Sequence, residues 1–270
     1  MKKLRVAVVQ VAAGLDSVRN MRRLEKVVSG VRSADIIALP EVFSVRGGTV
    51  DYLAAAEPLD GPLIRGLCGL ARRKAAWILA GSIIERARGR TYNTCVLIDR
   101  RGRIAATYRK MHLFDARLDD GTHVRETDVY SAGRTPVMTD IEGWPVGLAI
   151  CYDLRFPELF RRYAASGAAL MFVPSNFTQR TGRDHWKVLV RARAIENQCF
   201  VVAPNQCGRN EASGVSSYGH SMVVGPWGEV LCEARRSESV LTTELDPGLL
   251  GATRSRIPVL KHRVMGLKRP

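Results

Sequence analysis

The 270-residue sequence contains no Cys-x-x-Cys pair, and its six cysteines (68, 95, 151, 199, 207 and 232) are scattered along the chain. That usage points to reduced thiols rather than a disulfide framework. Its five histidines (112, 123, 185, 220 and 262) show neither His-x-x-x-His nor His-Glu-x-x-His spacing, so neither a structural zinc nor a zinc hydrolase site is expected. No run approaches the roughly 20 apolar residues that span a bilayer. The opening Met-Lys-Lys-Leu-Arg-Val-Ala-Val-Val-Gln reads as a first strand broken by Gln10, not as a signal peptide, and the expectation is a cytoplasmic protein without a membrane partner. Acid is scarce: 26 Asp and Glu stand against 41 Lys and Arg, a net charge of +15. Aromatics make up only 7%. The arginines are spread along the chain, are not interleaved with aromatics and fall in no nucleic-acid motif, so they read as solvated helix faces. The field they make would draw in anionic small molecules.

What is present is an alternation of apolar runs and helical patterns, with 46% hydrophobic content. Strands are predicted at 4–11, 35–39, 77–84, 92–99, 103–109, 169–174, 199–204 and 238–245. Helices are predicted at 17–32, 61–76, 156–166 and 184–196. Asp99 to Gly102, Glu142-Gly143 (between 136–141 and 145–150) and Pro226-Trp227-Gly228 mark hairpin turns. The polar stretch 112–134 has little pattern, and long loops in compact domains are usually functional. The tail 247–270 is basic. With no linker or low-complexity block, a single domain over 1–270 is expected. Strand–helix units joined by antiparallel hairpins predict two mixed sheets face to face with helices outside, a four-layer α-β-β-α sandwich. The pattern alone leaves a doubly wound α/β fold open.

Three reactive side chains end apolar runs. Glu41 closes Asp-Ile-Ile-Ala-Leu-Pro-Glu (35–41), Lys110 closes Ile-Ala-Ala-Thr-Tyr-Arg-Lys (104–110), and Cys151 closes Val-Gly-Leu-Ala-Ile-Cys (146–151). Cys151 is followed by a turn at Tyr152-Asp153 and by Pro157, which suits the first turn of a helix. Unpaired N–H groups and a helix dipole at that point would favour a thiolate. Each residue also has a plain structural reading: a small core thiol, a surface or capping carboxylate after Pro40, a solvated strand-end lysine. Together, three strand ends can bring them to one edge of a sheet, where α/β proteins bind ligands.

The motifs Leu-Pro-Glu-Val-Phe (39–43), Tyr-Arg-Lys-Met-His-Leu-Phe (108–114) and Cys-Tyr-Asp-Leu-Arg-Phe-Pro-Glu-Leu (151–159), in this order and spacing, resemble the nitrilase superfamily of carbon–nitrogen hydrolases over nearly the full length. The resemblance implies the four-layer sandwich, a two-fold homodimer, no cofactor and a small-molecule amide substrate. It implies that Cys151 is the nucleophile, Glu41 the base and then the acid, and Lys110 with the Tyr152 N–H the oxyanion donors. A second family glutamate matches Glu126 in Val-Arg-Glu-Thr-Asp (124–128), as a positioning group for Lys110 and the substrate amide. Its loop also holds Asp115, Asp119, Asp120 and Asp128.

Within the superfamily, His185-Trp186, Arg191 to Cys199, Ser217 to Val224 and Asn205 to Gly208 look most like the Nit branch, the deaminated-glutathione amidases and ω-amidases, with phrases leaning to the former. An ω-amidase acting on α-ketoglutaramate, a nitrilase, an N-carbamoyl amine hydrolase, and a non-catalytic binding module are the alternatives. Substrates of the Nit branch carry carboxylates, so a pocket cation is expected. Arg155 is the first candidate, with Arg180 and Arg183 next. Asn176, Phe177, Thr178 and Thr181, in the loop after the strand at 169–174, are expected to line the pocket. Glu158 is read as pairing with a structural neighbour, and Cys199, Cys207 and Cys232 as core thiols.

Overall fold

The computed structural model describes residues 1–117, 121 and 123–265. Alternation along β1 (Leu4–Gln10) sends Val6 and Val8 to one face and Ala7 and Val9 to the other, and all four are fully buried. A strand covered on both faces belongs in the middle of a layered structure. β1 lies in a six-stranded sheet ordered β14-β1-β2-β3-β4-β5, with β2 (Ile36–Ala38), β3 (Trp77–Ala87), β4 (Arg90–Ile98), β5 (Ile104–Arg109) and β14 (Ser239–Leu245). Strands β1, β2 and β3 run parallel, and β4, β5 and β14 are antiparallel to their neighbours.

The second six-stranded sheet repeats this plan in the order β13-β12-β11-β10-β9-β8. Its strands are β8 (Val137–Ile141), β9 (Trp144–Leu148), β10 (Leu170–Phe172), β11 (Phe200–Ala203), β12 (Met222–Val224) and β13 (Val230–Glu233). Its parallel centre is β9, β10 and β11. Val6, Val8, Ile36, Ala38, Leu79 and Leu97 of the first sheet share one apolar cluster with Val146, Leu148, Leu170, Phe172 and Val202 of the second. Ala7, Val9, Ile37, Ile78 and Val96 instead pack on α1 (Ser17–Ser29) and α3 (Pro62–Lys74), through Leu24, Val28, Ile64, Leu67 and Leu70. The outer face of the second sheet carries α4 (Pro157–Ala165) and α6 (Lys187–Asn197). Gly147 makes room there: a Cβ on it would lie 2.6 Å from the Tyr163 ring, whose hydroxyl donates to the Leu148 carbonyl at 2.6 Å. Helix, sheet, sheet, helix is the predicted four-layer order.

Several local expectations are corrected. A short helix α2 (Thr49–Ala54) follows the first strand–turn unit; it buries none of its residues and so leaves no apolar stripe to read. The stretch 112–134 is not patternless: β6 (Asp115–Arg117) pairs with β7 (His123–Arg125), and a 3-10 turn (Glu126–Asp128) follows. Three-residue polar strands are too short for periodicity to show. Asp119 and Asp120 lie outside the described residues. The helix expected from 184 is preceded by a single turn, α5 (Gln179–Thr181), and a π-helical segment (Gly182–Trp186). Val18, counted by its spacing among the apolar residues of the helix expected at 17–32, lies off the buried stripe of α1, 58% exposed. The basic tail contains α7 (Pro247–Arg256) and α8 (Val259–His262). All six cysteines are free; Cys199 and Cys207 are buried and Cys232 half-buried. No helix among the described residues is long and apolar enough to cross a membrane.

Candidate active site

The carboxyl ends of parallel strands β2, β9, β10 and β11 open on one edge of the double sheet, and the chain leaves each of them in a tight turn. After β2 comes Glu41, after β9 Cys151, after β10 Asn176, after β11 Asn205 and Gln206. Lys110 directly follows β5.

The Glu41 turn is held from several sides. A bulge in β3 brings Gly81 against it, where a Cβ would lie 1.8 Å from the Pro40 carbonyl oxygen. Ser82 Oγ accepts from Val42 N at 3.1 Å. Gln206 Nε2 donates to the carbonyls of Glu41 and Val42, at 3.0 and 3.2 Å. Val42 has φ +47°, a left-handed conformation costly for a β-branched residue. Lys110 is fixed by its own backbone: its N–H donates to Asn93 O at 2.8 Å and its carbonyl accepts from Gly133 N at 2.7 Å.

These turns place Lys110 Nζ between two carboxylates, 2.9 Å from Glu41 Oε1 and 2.8 Å from Glu126 Oε1. Asn93 Nδ2 donates a second bond to Glu41 Oε1 at 2.9 Å. Phe114 N donates to Glu126 Oε2 at 2.7 Å. Lys110 is 1% and Glu41 3% exposed. Burial opposes the Lys110 charge, but Glu126 and Glu41 outweigh it and hold the ammonium well above the usual lysine pKa. Burial raises the Glu126 pKa; Lys110 opposes that rise and Glu41 adds to it.

Cys151 opens a 3-10 turn (Cys151–Arg155) and has φ +46°, which lifts its side chain out of the strand direction. Its N–H donates to Pro174 O at 2.9 Å. Asp153 locks the turn: one carboxylate oxygen accepts from Tyr108 OH (2.7 Å) and Ile150 N (2.8 Å). The other accepts from His112 N at 3.1 Å and lies 2.7 Å from His112 Nδ1. The His112 ring stacks on Phe156 at 3.7 Å. Cys151 is 9% exposed and, with Glu41 and Glu126, lines a cavity of about 220 Å³.

The thiolate expected at Cys151 is corrected. Burial and the Glu41 carboxylate push the thiol pKa well above its usual value, more than Lys110 and a hydrogen bond from the Asn176 backbone pull it down. The long helix α4 begins only at Pro157, so a five-residue 3-10 turn, not a helix terminus with a full dipole, faces the sulfur. Both effects favour the protonated thiol, for which attack calls for a base.

Of the residues expected around the pocket, Asn176 and Thr178 line it, whereas Tyr152, Arg155, Phe177 and Thr181 are not among its lining residues. Phe177 is buried against Trp186. Thr181 Oγ1 bonds Thr178 Oγ1 at 3.0 Å. Arg155 lies over the Tyr152 and Phe177 rings and 3.3 Å from His185 Nδ1. Arg183 pairs with Asp184 at 2.9 Å, and Arg180 is exposed. Glu158 is exposed and forms no ion pair among the described residues. Asp115 accepts from Thr127, and Asp128 lies 3.5 Å from Arg125, so neither stands in for Glu126.

Sequence reasoning missed Asn93, Asp153, Gln206 and Arg46. Asn93 is the most discoverable, a buried amide in mid-strand between Tyr92 and Thr94 with no turn to serve. Arg46 is the surprise: 1% exposed, it lines the cavity from Val45-Arg46-Gly47, and no apolar period marks it.

The sequence pattern of the carbon–nitrogen hydrolase family matches residues 5–255. The chain is 38% identical over 269 residues to the deaminated glutathione amidase of Mus musculus, covering 96% of this chain and 82% of that protein. It is 35% identical over 265 residues to the omega-amidase NIT2 of Danio rerio, covering 97% and 95%. The crystal structure of the C. elegans NitFhit protein superposes with a TM-score of 0.90 at 33% identity, over 98% of this chain and 66% of that one. A buried cysteine, a lysine clasped by two glutamates and a match along almost the whole sequence lead to one assignment: the chain belongs to the carbon–nitrogen hydrolase family.

Proposed function

We propose that the protein hydrolyses a linear amide of a small carboxylate-bearing molecule through a thioester on Cys151. The observation that carries this reading is the Lys110 ammonium bridging Glu41 and Glu126 at 2.9 and 2.8 Å beside the Cys151 cavity. Glu41 takes the thiol proton as sulfur attacks the carbonyl carbon. The developing oxyanion is met by the Lys110 ammonium and the Tyr152 N–H; one such donor is worth about 3–4 kcal/mol of barrier. The tetrahedral centre collapses, the C–N bond breaks, and Glu41 passes its proton to the departing ammonia. Water, deprotonated by Glu41, then attacks the thioester, releasing the acid and restoring the thiol. Glu126, tied to Phe114 N, holds the lysine in register.

Relatives named for deaminated glutathione and for omega-amidase activity support an amide of a dicarboxylate skeleton. The cavity beside Cys151, about 220 Å³, is the size of a small-molecule site, and either amide fits this reading. A cytoplasmic homodimer, built as one domain on this chain, completes the reading; exposed Ile195, Trp227, Leu249 and Ile257 supply apolar surface for pairing.

The test is an ammonia-release screen over α-ketoglutaramate, deaminated glutathione, aliphatic amides, nitriles and N-carbamoyl amines, run beside Cys151→Ala. Release from carboxylate-bearing amides, reduced at least about 1,000-fold in the folded variant, is the expected outcome. Undiminished release by Cys151→Ala overturns it.

A further inference from the structure

Arg46 is a buried guanidinium without a counter-ion. Nη1 donates to the Cys207 carbonyl and to Ser217 Oγ, both at 2.8 Å, but Nε and Nη2 have no hydrogen-bond partner. No carboxylate among the described residues forms an ion pair with it. Burial lowers its pKa, partly offset by surrounding groups led by Tyr52. A buried charge left unpaired is costly, and proteins retain one where a partner arrives later. The Arg46 side chain lines the same cavity as Cys151, and so does Tyr130, whose buried hydroxyl is also unpartnered. Ser217 links the guanidinium to the reaction centre: it accepts from Arg46 and donates to Asn176 Oδ1 at 2.5 Å, and Asn176 lines the cavity beside Cys151.

We propose that Arg46 is the anion anchor of this site, pairing the distal carboxylate of an ω-monoamide while Cys151 attacks the amide end. The proposal rests on the amidase reading and names the residue that selects its substrate. A carboxylate is the right partner because two adjacent guanidinium N–H groups match its two oxygens. Nε and Nη2 are shielded from water, so the guanidinium meets the ligand by turning about its terminal torsions, keeping its charge in a low-dielectric wall where pairing is strong. Arg155, the candidate from sequence, is occupied by two aromatic rings and His185. No proton or covalent bond changes hands at Arg46.

The test compares succinamate with butyramide, which has the same length without the charge, in wild type, Arg46→Lys and Arg46→Met. Wild type is expected to favour succinamate by about 100-fold in kcat/KM. That ratio collapses toward unity in Arg46→Met and falls part of the way in Arg46→Lys, with the loss in succinamate KM rather than kcat. Succinate should bind wild type by calorimetry far more tightly than butyrate, and binding should drop about 100-fold in Arg46→Met. An unchanged ratio in a folded variant, or a wild type that hydrolyses butyramide as well as succinamate, overturns the proposal. If wild type hydrolyses neither amide, succinate calorimetry on wild type and Arg46→Met decides Arg46, and the ammonia-release screen decides the amidase reading. If Arg46→Met does not fold, the wild-type ratio and Arg46→Lys decide.

Discussion

Lys110 sits between two buried carboxylates, so removing it does more than delete a charge. In Lys110→Met, Glu41 and Glu126 face each other without the cation that now bridges them at 2.9 and 2.8 Å. Leaving a buried ion unpaired costs about 3–5 kcal/mol. The Glu126 carboxyl, which burial already raises and Lys110 holds down, is then raised further above its unfolded value. The variant keeps its stability below the unfolded carboxyl pKa and loses it as pH rises through the folded one. Urea unfolding at pH 5 and pH 8 is expected to show a much larger gap from wild type at pH 8; an equal gap at both contradicts the clasp. At this scale the sequence was legible where a reactive side chain closes an apolar run, as at Glu41, Lys110 and Cys151. Glu126 was reached only by family resemblance, because its loop offers several acids and no period. Arg46, Asn93 and Asp153 act through contacts between segments far apart in sequence: Asn93 reaches back to Glu41, Asp153 to Tyr108 and His112. No local pattern carries such information.

Elements hold these side chains through close backbone approaches and one inter-sheet ion cluster. Gly81 lets β3 touch the Pro40 carbonyl, where a Cβ would lie 1.8 Å away. Gly81→Ala must push the Glu41 turn outward, and if Glu41 is the base proposed above, a shift near 1 Å costs about 100-fold in rate. A folded Gly81→Ala protein with wild-type kcat would contradict that placement. At the other end of the sandwich, Glu142 in the β8–β9 turn joins the two sheets. It accepts from Arg100 Nε and from Trp77 Nε1 (3.1 Å), and pairs with Lys2 Nζ at 2.7 Å. Burial alone would raise its carboxyl pKa, but the bonds from Arg100, Lys2 and Trp77 win and pull it from 4.5 to about 2. The stability it contributes, about 1–2 kcal/mol after solvent screening, is present above pH 4.5 and lost as pH falls towards 2. Glu142→Gln should therefore lower the melting temperature at pH 7 and narrow that gap near pH 2.5; a constant gap contradicts the assignment. Long strands and amphipathic helices were legible because burial imposes their period. Helix α2 and the β6–β7 pair were not, since one buries no residue and the other spans three polar residues a strand.

Across the whole molecule, the surplus of base has a kinetic reading. A net charge of +15 surrounds a site argued to take an anion. Steered encounter weakens as salt shortens the reach of the field. Where capture limits turnover, kcat/KM for succinamate is expected to fall about three- to tenfold between roughly 20 mM and 0.2 M salt, with butyramide unaffected. An identical salt response for the two amides removes the charge from the account. The alternation of hairpins and strand–helix units suggested two sheets but left a doubly wound fold open, and the family resemblance pointed to the sandwich. What the chain alone did not disclose is the direction in which the Cys151 thiol is shifted, which depends on how deeply the sulfur is buried and which charges lie near it. Covalent capture of the intermediate tests the central claim most directly. Rapid-quench mass spectrometry during turnover should find the acyl group of the amide on the peptide bearing Cys151, lost again as acid is released, and absent from Cys151→Ala. Steady turnover with an unmodified Cys151, or an acyl group on any other residue, would contradict it.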